Sequence, residues 1–149
     1  MDPVTLMNSG SNIYEKLIRK LKVITSKAWL VSRFDEDKEG HVKPKITLRY
    51  FGYLVLDMKK RTILFQGRVL KFKKILIKIP LNKVKLVRIH GGTNLRIKWV
   101  GDRGMYHNAL FLVGELDALG IAHPSKRAAE VWYNLLNKAL EIAKSSPRK

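Results

Sequence analysis

The chain of 149 residues is the size of one domain, and its 46% hydrophobic and 28% charged residues are ordinary for a folded globule, whereas a net charge of +18 is not. Such an imbalance points to a polyanionic partner, meaning nucleic acid, a ribonucleoprotein or an anionic membrane face. The absence of Cys excludes disulfides, thiolate zinc sites and a Cys nucleophile, and no apolar run approaches the roughly 20 residues needed to cross a bilayer.

Residues 1–10, MDPVTLMNSG, lack the basic start and apolar middle of a signal peptide, which predicts a cytoplasmic protein. They read as a flexible lead ending in the turn residues Asn8-Ser9-Gly10. A single domain is expected over 11–145, with 146–149 a fraying tail. It begins with a basic amphipathic helix over about 12–24, with Ser11 or Asn12 as N-cap and Glu15 in the first turn. Ile13, Leu17, Ile18, Leu21 and Ile24 share one face of it, and Lys16, Arg19, Lys20 and Lys22 populate the other. Two readings stay open: an element facing membrane or RNA, or a helix packed on its own domain with a solvated basic back.

Ala28 to Phe34 reads as a first strand, followed by the acidic stretch Asp35 to Lys45, which holds four of the twelve acidic residues. It is expected to be a solvated loop; the remoter alternative is an internal mimic of the anionic partner that shields the basic face. From Ile46 the pattern is a meander: ITLRYFGYLVLD, a turn at MKKR, TILFQGRVLKF, a turn near KK, ILIKIP, VKLVRI, the glycine turn HGGTN, LRIKWVG, a turn at DRG, and MYHNALFLV. Short strands separated by regular turn signals predict an antiparallel sandwich or barrel. Ile75, Ile77 and Ile79 alternate with Leu76 and Lys78, and Leu95, Ile97 and Trp99 alternate with Arg96 and Lys98, which sends the apolar residues inward and the cations outward. Gly114 to Lys126 reads as a loop. A last helix is expected from about Pro124 or Ser125, with Val131, Trp132, Leu135, Leu136, Ala139, Leu140 and Ala143 as its buried stripe.

The run Gly52 to Gly67, then Ile79-Pro80-Leu81 with Val84 and Val87, then LRIKW and a helix carrying Trp132, resembles the strand succession of GRAM and bacterial pleckstrin-homology-like domains over about 50–143. The resemblance implies an α+β, mainly β fold: a strongly bent antiparallel sheet or barrel of about seven strands capped by the C-terminal helix, here with an extra short N-terminal helix. It also implies a non-catalytic adaptor for phosphoinositides, other anionic lipids, proteins or, in some chromatin factors, histones. No lipid-binding motif of that family carries over residue by residue, and fold by itself leaves function open.

A catalytic reading needs convergent acids, bases or nucleophiles. His41, His90, His107 and His123 lie in or beside predicted turns without metal-ligand spacing, and His90-Gly91-Gly92 lacks the phosphate-loop pattern. Asp35, Glu36, Asp37 and Glu39 lack the calcium-loop ligand order. The expectation is a non-enzyme with no cofactor, no metal and no small-molecule substrate.

What remains is charge. From Met58 to Gly101 there are thirteen cations and no Asp or Glu: Lys59, Lys60, Arg61, Arg68, Lys71, Lys73, Lys74, Lys78, Lys83, Lys85, Arg88, Arg96 and Lys98. A merely lysine-rich surface of a heat-adapted protein would intersperse Glu, because ion-pair networks need both signs. Lysines are flexible point charges suited to phosphate contact without base reading. Tyr50, Phe72 and Tyr106 offer rings for stacking, but the interleaving is too sparse for a single-strand platform. A surface laid on structured RNA or a ribonucleoprotein fits the pattern first. The alternatives are a peripheral membrane module binding anionic lipid head groups, in which the helix cations take part, and an adaptor for an acidic protein.

Overall fold

The computed structural model describes residues 12–45, 49–70 and 73–145. The expected lead, the candidate cap Ser11, the stretch 46–48, Lys71, Phe72 and the tail 146–149 lie outside the described residues. In chain order the elements are α1 (Asn12–Leu21), β1 (Val23–Glu36), β2 (Val42–Pro44), β3 (Tyr50–Asp57), β4 (Thr62–Leu70), β5 (Lys73–Pro80), β6 (Val84–His90), β7 (Asn94–Val100), β8 (Tyr106–Leu116), β9 (Ala122–Pro124) and α2 (Lys126–Ser145).

Seven strands run in the order β5-β4-β3-β1-β8-β7-β6, every neighbour antiparallel, and the short β2 and β9 add hairpins to β1 and β8. The sheet curls into a half-barrel around α2, the arrangement of pleckstrin-homology-like domains. This is the mainly-β class that the alternating strands predict.

The strand β1 belongs to both halves of the sheet. Val23 to Leu30 pairs with β3, and Ala28 to Glu36 pairs with β8, with a bulge between Leu30 and Ser32 that re-aims the second half. Strand structure begins earlier than expected, because Val23, Ile24 and Thr25 are β-branched and favour extended backbone over a further helical turn. Ile24, Ser26, Ala28 and Leu30 then alternate inward. Ile24 fits the helix face because it lies three residues after Leu21, yet it belongs to the inward alternation of β1. Lys22, with φ of 60°, turns the chain from α1 into β1: its N–H donates to the Ile18 carbonyl (3.0 Å) and its carbonyl accepts from Met58 N–H (2.7 Å).

Two stretches expected to be loops are hairpins. Asp35 and Glu36 lie in β1, and Gly114 to Leu116 continue β8. Each hairpin turns on an Asp whose Oδ1 accepts two backbone N–H groups: Asp37 from Glu39 and His41, and Asp117 from Leu119 and Ile121. Glycines in left-handed backbone, Gly40 (φ 86°) and Gly120 (φ 79°), complete them. The strands are too short for periodicity to reveal.

The core is formed by the inward faces of the strands and by α2, whose buried stripe is Ala128, Ala129, Val131, Trp132, Leu135, Leu136, Ala139 and Ile142. Leu140 and Ala143, expected in that stripe, are only partly buried at its margin. Ser125 caps the helix, its Oγ accepting the Ala128 N–H at 3.1 Å. The Trp132 indole N–H donates to Ser26 Oγ (2.9 Å), which ties the first half of α2 to β1. Tyr14, Leu17 and Ile18 of α1 are also buried in this core, and Asn134 of α2 donates to the Tyr14 hydroxyl (3.2 Å). Among the described residues, no helix is long and apolar enough to cross a membrane.

Candidate polyanion-binding surface

Strand parity assigns each cation to a face. On β4 and β5, Ile63, Phe65, Ile77 and Ile79 point into the core, so Arg68, Lys74 and Lys78 project from the outer face and are exposed. Lys73 opens β5 beside the exposed Leu70, which is 66% accessible at the end of β4. Among the described residues, no acidic group lies within ion-pair distance of these four cations. Lys71 is outside the described residues.

The other half of the outer face is neutralised from within. Glu36 Oε1 lies 2.8 Å from Arg96 Nη2 and 3.5 Å from Lys98 Nζ, and it accepts from Asn108 Nδ2 at 2.9 Å. Asn108 Oδ1 in turn accepts from Arg96 Nε (2.9 Å). Arg96 also lies over the Phe34 ring and Lys98 over the Tyr106 ring, at 5.3 and 4.7 Å from the centroids. Alternation places Arg96 and Lys98 on the outer face as expected, yet both are largely covered and paired, because the bulge in β1 aims Glu36 between them. Lys85 and Arg88 on β6 remain exposed.

A second cationic zone lies where β5 and β6 diverge beside the end of α2, in an open groove of about 1060 Å³. Lys60, Arg61, Lys83, Lys85 and Lys144 line it around an apolar floor that includes Leu81 and Val84. Arg61 donates to the Ala143 carbonyl (3.4 Å), and the acidic Glu141 is paired with Lys138 at 3.3 Å. Lys59 is exposed on the same β3–β4 turn, whose backbone N–H groups at Lys59 and Lys60 donate to Asp57 Oδ1.

On α1, Lys16, Arg19, Lys20 and Lys22 are exposed, and Arg19 pairs with Glu15 at 3.3 Å. The apolar face of this helix is buried against the core, and its basic back is exposed.

The rings are not those that composition suggests. Tyr50 points into the core, Tyr106 lies under Lys98, and Phe72 is outside the described residues. Among the described residues the exposed rings are Tyr133 on α2 and, on β3, Phe51 and Tyr53, 41% and 48% accessible, with Trp29 of β1 packed against Phe51 at 4.9 Å between centroids. Counting back by twos from the core residues Leu54 and Leu56 would have identified them: Tyr50 and Gly52 share the core parity, Phe51 and Tyr53 the outer one.

Of the acidic stretch, only Glu39 is without a structural role described above. Asp35 Oδ1 is 2.8 Å from His107 Nδ1, and its Oδ2 is 3.3 Å from Lys45 Nζ. Partial burial pushes the Asp35 carboxyl up, but the His107 hydrogen bond and the Lys45 charge outweigh it and hold the group below its ordinary 3.8. A carboxylate depressed by folding contributes stability that is full above its unfolded value and is lost as pH falls through its folded one. Asp35→Asn is therefore expected to lower stability at pH 6 to 7 and to flatten the acid limb below about pH 4. Denaturant midpoints of the two proteins across that range check it; parallel curves would exclude the assignment.

No known protein-family model matches the chain, and a search of curated proteins finds none that is similar.

Proposed function

We propose that the chain is a non-catalytic, strongly basic binding module that docks on nucleic acid or a ribonucleoprotein through phosphate contacts, with the β4–β5 face as the main contact and the groove beside α2 extending it. The observation that carries this reading is the asymmetry of the outer face. Glu36 neutralises the β7 cations, whereas Arg68, Lys73, Lys74 and Lys78 have no acidic partner among the described residues. Unpaired surface cations repel one another and cost stability unless a ligand supplies the opposite charge. On this reading the finer likeness is to GRAM and bacterial pleckstrin-homology-like adaptors, with nucleic acid in place of a lipid head group.

One observation favours a second reading, a peripheral module on anionic membrane. Leu70 is exposed at the hairpin end beside Lys73 and Lys74, and an apolar side chain amid cations at a tip is what inserts among head groups.

Equilibrium binding of the whole protein to duplex RNA, single-stranded RNA, duplex DNA and phosphatidylserine vesicles across a salt series separates the two. Nucleic-acid binding at about 0.15 M salt with a slope of several ions supports the first. Binding to vesicles alone, weakened by Leu70→Ser, would replace it with the second.

A further inference from the structure

The outer face of β1, β3 and β4 carries something that phosphate contact does not need. Phe51 and Tyr53 stand two residues apart on β3, hence about 6.8 Å apart along the strand, and both rings face solvent amid a shallow cavity of about 640 Å³. Cross-strand register sets polar and charged groups around them. Arg68 is opposite Phe51 and Lys74 is opposite Arg68, while Tyr53 lies between Lys27 on one side and Gln66 on the other. Lys27 Nζ is 5.9 Å from the Phe51 centroid. An exposed ring is costly in water, and two of them in line, flanked by cations, have the chemistry of base on ring and phosphate on cation.

We infer that this face binds a single nucleic-acid strand, with Phe51 and Tyr53 as stacking platforms for successive unpaired bases and Lys27, Arg68 and Lys74 as the phosphate contacts. The inference rests on the polyanion reading above and specifies its partner. The platform is pre-formed: Trp29 packs closely over Gly114, where a Cβ would lie 3.0 Å from the indole, and Phe51 leans on Trp29 with 35° between the ring planes. A fixed ring loses little entropy when a base stacks on it. Duplexes keep their bases stacked inside and leave such rings unused. Head-group insertion needs side chains that project from a tip, as Leu70 does, whereas Phe51 and Tyr53 sit mid-strand on a pleated surface next to the polar Gln66. Gln66 adds an amide within the same row, able to meet a base edge.

The test is fluorescence anisotropy with labelled 12-mers of oligo-U and oligo-dT, a duplex of equal length and a 12-mer abasic sugar-phosphate strand. The protein is compared with Phe51→Ala, Tyr53→Ala and the milder Phe51→Leu and Tyr53→Leu, which keep apolar cover but remove the π face. Each loss of a ring is expected to weaken single-strand binding about five-fold or more, with the salt slope unchanged. Duplex and abasic strands should bind more weakly and be indifferent to the ring. The U and dT arms show whether the 2′-hydroxyl matters. If the single strand binds no better than the duplex and the ring variants leave both unchanged, the stacking inference is overturned while the polyanion reading stands. Binding confined to phosphatidylserine vesicles would overturn both.

Discussion

Replacing Trp132 by alanine is expected to cost roughly 3–5 kcal/mol of folding stability. The ring is wholly buried in the first half of α2, and its N–H donates to the buried Ser26 hydroxyl. Removing it empties the largest volume in the core and leaves that hydroxyl without its partner, which adds to the penalty. A domain of this size has a total stability of about 5–15 kcal/mol, so the variant should lose about a fifth or more of it and unfold more than about 5 °C earlier. Ser26→Ala separates the terms, since it leaves the ring in place and removes only its hydrogen-bond acceptor; about 1–3 kcal/mol is expected there. Denaturant titrations of the three proteins measure both. A Trp132→Ala protein as stable as the parent would mean that α2 does not close the half-barrel as described.

The largest effect on binding is expected from reversing Arg68, Lys74 and Lys78 to Glu together. All three are exposed on the outer face with no acidic partner among the described residues, so the fold should tolerate the change. Each lost phosphate contact is worth on the order of ten-fold in affinity, given about 1.5 kcal/mol for a hydrogen bond to a charged group. The salt slope should fall by up to about three ions. The control is the same reversal at Lys16, Arg19 and Lys20 of α1, which changes net charge equally from the helix side of the sheet. Among the described residues Arg19 pairs with Glu15 alone, an exposed pair that contributes little to stability. If the two triple variants weaken binding alike, net charge rather than the β4–β5 face governs the affinity.

Most of the meander was legible because its strands keep one face dry. Ile75, Ile77 and Ile79 against Lys74, Leu76 and Lys78, or Leu95, Ile97 and Trp99 against Arg96 and Lys98, state parity in five or six residues, and Gly91-Gly92 marks the turn between β6 and β7. What local pattern could not carry was pairing across distance. Glu36 reads as one acid in a polar run until β8 and β7 bring Asn108, Arg96 and Lys98 to it. The same limit hid the ring platform, since Phe51 and Trp29 are neighbours only through the β1–β3 register. Ile24 misled because it follows Leu21 at helical spacing although the chain has already turned into β1, and β9 because three residues carry no period.

The division of β1 between two halves also orders the events of folding. Its first half finds β3 nearby in the chain, and β3 to β5 are joined by tight hairpins, so that side assembles from local contacts. Its second half, where Ala28, Trp29 and Leu30 are flanked on both sides, waits for a strand that is made long afterwards. Until β8 arrives, β1 presents a bare row of backbone donors and acceptors, and α2, which follows still later, cannot yet cover the apolar inside. Loop closure over such a separation is entropically costly and slows barrels of this kind. A chain that stops short of β8 therefore holds an open, adhesive edge.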